Sequence, residues 1–332
     1  MMTPILGLDI GKDQIDAVLL RAEHEPEHAV FDNTPKGFNH LWRFLKKRAA
    51  HQARVCMEAT GLYYEQVADF LHEKGATVSV VNPARIKAYA ASQLTRNKTD
   101  KLDAHTIADF CRTQHPAVWT PPDTAWRQLR ALVRHLDDLQ QDLQRQRNRL
   151  HAREQASEPV VTVTDHLRTH IALLETQMEQ VKQAINDHID QHPGLKADRD
   201  LMTSISGIGD LTAGKLLAEI PDITLFDNVR QLVAFAGLNP RHHQSGTSIR
   251  GKTKISKMGR SSLRATLYMS AIVAKTHNPI LRTFAQRLEQ RGLCPMEVVV
   301  AVMRKLLHLI FGILHSRQPF DPLHLEKVTA HA

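Results

Sequence analysis

The sequence predicts an α/β unit at the N-terminus followed by mainly α-helical segments. Three observations carry this. In the first 120 residues, short apolar runs alternate with stretches of helical periodicity, the pattern of strands and helices layered in one sheet. From Thr124 to Ile189, large aliphatic residues recur at three-four spacing in two long stripes. The last third again reads as helices, broken by a glycine-bearing turn and a strongly basic loop. A chain of 332 residues leaves room for two or three domains. The divisions fall at 1–120, 121–195 and 196–332.

Composition narrows the function. The formal charge is +8 and the pI about 9.5, which favours a polyanionic partner. Aromatic residues make up only 5%, so stacking on unpaired bases is not the obvious mode of binding. Cys56, Cys111 and Cys294 are widely spaced and odd in number, which predicts reduced thiols in a cytosolic protein. The first residues lack a basic stretch, and Asp9 interrupts their apolar run, so no signal peptide is expected. The apolar region from Val298 to Leu314 contains Arg304, Lys305 and His308, and is expected to be a core helix, too short and too charged to span a bilayer. His166 and His170, four apart, predict a solvated helix face, since no carboxylate or cysteine completes a zinc set.

The N-terminal elements follow in order. Ile5 to Ile10 is an apolar strand that contains Asp9; Gly11-Lys12-Asp13 turns the chain, and Gln14 to Leu20 alternates as a returning strand. An acid in a buried strand needs a partner or a metal. Arg54 to Gly61 repeats the oddity: Val55, Cys56 and Met57 form a strand with Glu58 at its end. Leu62 to Glu73 predicts an amphipathic helix, Thr77 to Val81 a strand stopped by Asn82-Pro83, and Ala84 to Ala91 a helix.

The next helix starts near Thr99, an N-cap type of residue, and carries Asp100 and Asp103 on one face of its first turn. Acids there also suit the helix dipole with no further role. Arg96 and Lys98 lie just upstream and could hold phosphate. Asp9, Glu58, Asp100 and Asp103 are thus four acids on different elements of a basic protein. That set suits divalent metal ions in phosphoryl transfer, with magnesium or manganese the fitting ions for oxygen-only ligands.

In the middle, Leu129, Leu132, Leu136, Leu139, Leu143 and Leu150 form one stripe; Leu167, Ile171, Leu174, Met178, Val181, Ile185 and Ile189 form another, with Ser157-Glu158-Pro159 between them. They predict an antiparallel helical hairpin, half of an intermolecular coiled coil, or a core-facing helix pair. Leu201 to Ala213 carries Gly207-Ile208-Gly209 between helical stretches, the spacing of a helix-hairpin-helix element whose backbone amides approach a DNA phosphate, or of a plain helix–helix turn. From Arg241 through Arg264 there is no acid but seven Lys or Arg, which favours phosphate contact by Arg241, Arg250, Lys252, Lys254, Lys257 and Arg260. Gly246, Gly251 and Gly259 predict a loop. Ser245, Thr247 and Ser248 lie within it, as phosphate-binding hydroxyls or as a nucleophile in cationic surroundings.

The order Asp, Glu, Asp-x-x-Asp in the settings Gly-Leu-Asp-Ile-Gly, Met-Glu-Ala-Thr-Gly and Asn-Lys-Thr-Asp-Lys-Leu-Asp-Ala resembles the DEDD transposases of the IS110 group, the insertion-sequence recombinases guided by a bridge RNA. Ala-Gly-Leu-Asn-Pro-Arg, then Gln-Ser-Gly-Thr-Ser-Ile-Arg-Gly, Lys-Met-Gly and Ser-Leu-Arg are similar to that group's C-terminal transposase domain, in order and spacing. The resemblance implies a RuvC-like domain of RNase H fold over residues 1–120 and a coiled-coil segment that joins protomers as a dimer or tetramer. It makes Asp9, Glu58, Asp100 and Asp103 a metal site and puts the family's nucleophilic serine on Ser245; Gln244 departs from the acid associated with that motif. It further implies a composite site across protomers, a 5′-phosphoserine link with release of a 3′-hydroxyl, a structured noncoding guide RNA, and residence at a prokaryotic nucleoid. Two other readings use fewer of these residues. A RuvC-like junction nuclease needs the acids but not Ser245, and a non-enzymatic helix-hairpin-helix DNA-binding protein needs only the basic run.

Overall fold

The structure, a computed structural model, describes residues 3–93, 99–158, 160–220, 222–241, 244–245, 249–250 and 254–322. The chain divides into two compact units, Met1–Pro121 and Pro122–Ala332.

The first unit is a five-stranded mixed sheet with helices on both faces. Its elements are β1 (Ile5–Ile10), β2 (Gln14–Leu20), β3 (Glu27–Asp32), α1 (Pro35–Lys47), β4 (Arg54–Glu58), α2 (Glu65–Glu73), β5 (Thr77–Val81), α3 (Pro83–Ser92) and α4 (Asp100–Gln114). The strand order is β3-β2-β1-β4-β5. The first three strands pair antiparallel, while β1, β4 and β5 pair parallel. The alternation read in β1 sorts its side chains. Leu6, Leu8 and Ile10 join Val55, Met57 and Val78 under Phe38, Leu41 and Leu45 of α1 and Val67 and Leu71 of α2. Ile5 faces the other way and packs with Cys56, Val81, Ile86, Ile107, Phe110 and Cys111. Each fully buried aliphatic side chain contributes roughly 1.5–3 kcal/mol.

Small residues let α4 lie close against β1. A Cβ added at Gly7 would stand 2.3 Å from the Ala104 carbonyl oxygen and 2.4 Å from the Ala108 amide nitrogen, so main chain meets main chain. Thr99 caps α4, its Oγ1 accepting from the Leu102 amide at 3.3 Å. Two expectations change. The helix after Glu58 begins at Glu65 rather than Leu62, and Leu62 and Tyr63 stand exposed in the preceding turn. Strand β3 and helix α1 have no counterpart in the sequence reading; β3 is a half-exposed edge strand with no clean apolar alternation.

In the second unit, α5 (Thr124–Glu154) and α6 (Val161–Gln191) form an antiparallel hairpin. Its foot is embedded: Leu129, Val133, Leu136, Ile185 and Ile189 belong to the core of this unit, and Trp126 Nε1 donates to the Leu217 carbonyl at 2.9 Å. Farther out, Leu139, Leu143 and Leu174 make a separate small cluster, flanked by the pairs Arg147–Glu175 (2.6 Å) and Arg168–Glu154 (2.8 Å). The stripes are therefore unit core at one end and a seam of the hairpin's own at the other. His166 and His170 are exposed.

There follow α7 (Pro193–Thr203), α8 (Asp210–Glu219), α9 (Val229–Phe235), four two-residue strands, α10 (Ser261–His277), α11 (Pro279–Gln290) and α12 (Pro295–Ser316). Gly207 turns the α7–α8 connection at φ 109°, with Ala274 against it. At 22 residues, α12 is long and apolar enough by length and composition to cross a membrane, which corrects the expectation that it is too short. Val298, Val302, Met303, Leu306, Leu307, Ile310, Ile313 and Leu314 are nonetheless buried in the unit's core.

Candidate active site

Asp9 is half-buried near the end of β1, and the first turn of α4 presents Asp100 and Asp103. One carboxylate oxygen from each of the three lies within 4.8 Å of the others. The close seat of α4 on Gly7, two residues before Asp9, makes this convergence possible. Glu58 ends β4, and the parallel register that pairs Leu8 with Met57 brings the ends of β1 and β4 side by side. Its Oε1 accepts from Thr60 Oγ1 at 2.7 Å.

Burial pushes the Asp9 carboxyl up to about 6, helped by the negative charges of Asp103, Glu58, Asp100 and Asp16. Glu58 thus belongs to the electrostatic neighbourhood of the other three. Asp16 has no place in the sequence reading. It sits directly across from Asp9 in the β1–β2 pair, and its Oδ1 lies 2.7 Å from His28 Nε2. The alternation of β2 could have revealed it, since two acids in paired strands at hairpin register face each other. The cluster offers oxygen donors only and crowds like charges, so the residues present fit a hard divalent cation.

Among the described residues of the basic stretch in the second unit there are two short ladders. Strand β6 (Pro240–Arg241) pairs with β9 (Lys254–Ile255), and β7 (Gln244–Ser245) with β8 (Ile249–Arg250). Ser245 stands opposite Ile249 at the last pair of its ladder. The base of this arm is pinned: the Lys257 amide donates to the Gly237 carbonyl at 3.1 Å and the Arg260 amide to the Phe235 carbonyl at 2.9 Å. Arg241, Lys254 and Lys257 are exposed.

Arg260 is engaged within the fold. Its Nη1 lies 3.2 Å from Oε2 of buried Glu219, and its guanidinium stacks over Phe235. Its charge is thus offset within the fold, unlike the charges of the exposed Lys254 and Lys257. Arg264 likewise donates to the Ala236 carbonyl at 2.9 Å. Arg96, Lys98, Thr247, Ser248 and Lys252 lie outside the described residues, as do the side chains of Ser245 and Arg250.

Two family models match the chain, the first running through most of α5 and the second beginning within α7. Residues 6–153 match the DEDD-type IS110 model, described as a transposase, and residues 199–286 match the transposase family IS116/IS110/IS902. The pilin gene-inverting protein of Moraxella bovis is 33% identical over 325 residues, covering 97% of this chain and 98% of the relative. The chain belongs to the IS110 family of transposases. The pilin gene-inverting protein of Moraxella lacunata matches this transposase equally, at 33% over 325 residues. The transposase for insertion sequence element IS1111A of Coxiella burnetii is 28% identical over 95% of the chain and 91% of its own length. The first match spans all four acids, and the second contains Ser245 and the basic arm.

Proposed function

We propose that this transposase cuts and rejoins DNA by metal-assisted serine transesterification, directed by a structured noncoding RNA from its element. The observation that carries the reading is the convergence of Asp9, Asp100 and Asp103 within 4.8 Å, with Glu58 at the neighbouring strand end. The strand order β3-β2-β1-β4-β5, antiparallel then parallel, supports an RNase H-like, RuvC-like assignment for the first unit. Those four carboxylates would hold Mg2+ or Mn2+, which supplies charge neutralisation for phosphoryl transfer.

Ser245 supplies the nucleophile. Its Oγ bonds to the scissile phosphorus as the P–O3′ bond breaks; the serine proton is lost and the 3′-oxygen gains one. The phosphodiester is conserved as a 5′-phosphoserine, and attack by a 3′-hydroxyl reverses the exchange. Arg241, Arg250, Lys252, Lys254 and Lys257 offset phosphate charge around it. The Gly207–Gly209 turn would present the uncapped start of α8 to DNA backbone, as in a helix-hairpin-helix element. The hairpin α5–α6 would join protomers, since Val160, Val161, Val163 and Leu173 on or beside α6 are exposed. Action on DNA puts the protein in the prokaryotic cytoplasm, at the nucleoid.

The test is the covalent adduct. Stopping the wild-type reaction in denaturant should leave DNA on the protein, and peptide mapping should find it on residue 245; Ser245→Ala should bind DNA and RNA but form no link. A link on Thr247 or Ser248 would reassign the nucleophile. Hydrolysed ends without any link would favour a RuvC-like junction nuclease.

A further inference from the structure

The turn between Glu58 and α2 carries two large apolar side chains that the fold leaves in water. Leu62 is 62% exposed and Tyr63 47% exposed, whereas the core face of α2 begins only with Val67, Ala68 and Leu71. Gly61, at φ 60°, makes the bend from which they project.

The turn is tied to the acid cluster at both ends. At one end Thr60 Oγ1 donates to Glu58 Oε1, and the Thr60 amide donates to the Glu58 carbonyl at 2.9 Å. At the other end Asn33 Nδ2 donates to the Tyr63 carbonyl at 3.2 Å and to the Gly11 carbonyl at 3.0 Å. Gly11 lies two residues past Asp9. A single amide group therefore fixes the backbone of Tyr63 to the turn that follows the strand acid. Such anchoring of an exposed aromatic costs conformational freedom, and neither Leu62 nor Tyr63 belongs to the apolar cores of this unit.

We propose that Leu62 and Tyr63 form a base-holding lip beside the acid cluster, with Tyr63 stacking on an unpaired base next to the scissile phosphate and Leu62 wedged against the neighbouring base step. Duplex DNA must be locally opened before strands can be exchanged, and an opened base needs a platform. An aromatic face stacks on any base, and an aliphatic wedge separates base steps without reading sequence. A catalytic centre directed by RNA pairing needs that kind of sequence-indifferent contact. The inference rests on the proposed function of the four acids as the cutting site.

The experiment uses the full chain with RNA transcribed from its element and duplex DNA spanning the element's own junction. Cleavage rates are compared for fully paired DNA and for the same DNA mispaired at the base beside the scissile phosphate. On paired DNA, Tyr63→Ala should cut about tenfold or more slowly, matching the loss of one stacked base. Tyr63→Phe should stay within about twofold of wild type, because the ring and not the hydroxyl is used. Mispairing should restore Tyr63→Ala to within about threefold of wild type, because the opening has been supplied. Leu62→Ala should show a smaller defect of the same kind. Unfolding midpoints should match wild type, since both side chains are exposed. Tyr63→Ala cutting both DNAs at the wild-type rate, or both equally slowly, would overturn the lip. Asp103→Asn is run in parallel; if it cut normally, the function on which the lip depends would fall instead.

Discussion

Asp9 is where the fold concentrates unfavourable charge, and that gives it a pH signature. Its carboxyl is raised from an ordinary 3.8 to about 6 by burial and by the neighbouring carboxylates. Below the ordinary value Asp9 is protonated whether the chain is folded or not, so it opposes folding least there. As pH rises through about 6 it must ionise inside the fold, and its contribution to stability is lost. Asp9→Asn should therefore match wild type in thermal unfolding near pH 4, exceed it increasingly as pH rises to about 6, and keep a constant margin above that, without added metal. Mg2+ should stabilise wild type far more at pH 8 than at pH 5 and leave Asp9→Asn nearly unchanged, with loss of cleavage. Equal effects of Mg2+ on the two proteins at pH 8 would mean that the acids do not hold the ion.

At the scale of elements, the basic arm separates two kinds of arginine and lysine that look alike in sequence. Lys254 and Lys257 are exposed on or next to β9, while Arg260 is held by Glu219 and Phe235. Lys254→Ala with Lys257→Ala should weaken DNA binding at every sequence and lower the salt slope by about 0.9 for each phosphate no longer neutralised. Arg260→Ala should leave the slope unchanged but destabilise the second unit by about 1–3 kcal/mol, because Glu219 would remain buried without its partner. The reverse pattern in a salt titration would exchange their roles. The same contrast explains what is legible in the sequence. Strands β1, β2, β4 and β5 and helix α4 announce themselves by apolar period and by the Thr99 cap, and the acids stand out because carboxylates are rare in buried strands. Strand β3 escapes such a reading because an edge strand with one wet face carries little apolar signal. Asp16 escapes it because its significance lies in cross-strand register. The internal pairing of Arg260 escapes such a reading because Glu219 is 41 residues away along the chain.

Across the whole molecule, the proposed chemistry is divided: the acids belong to one compact unit and Ser245 to the other. If one protomer's acids act with the serine of its partner, two inactive chains can rescue each other. In a dimer of Asp103→Asn and Ser245→Ala chains, one site would receive both defects and the other neither. Co-expression of the two should therefore restore covalent adduct formation at one of two sites, though each alone forms none. No adduct from the mixture would mean that each chain supplies its own acids and serine.

The contact of α4 with Gly7 gives that first unit a tolerance, in the machinist's sense. Side chains swing on several rotatable bonds, so a gauge made of them is loose. Here the reference surface is backbone on backbone, with the Ala104 carbonyl and Ala108 amide resting where position 7 has only hydrogen. The spacing between Asp9 and the acids of α4 inherits the tightness of that seam. A small ion that demands near-ideal octahedral geometry needs such a gauge, whereas a larger ion with looser coordination does not. A single methyl at position 7 would act as a shim: it carries no chemistry of its own, yet backbone would have to move to admit it, and the gap between Asp9 and the acids of α4 would be reset.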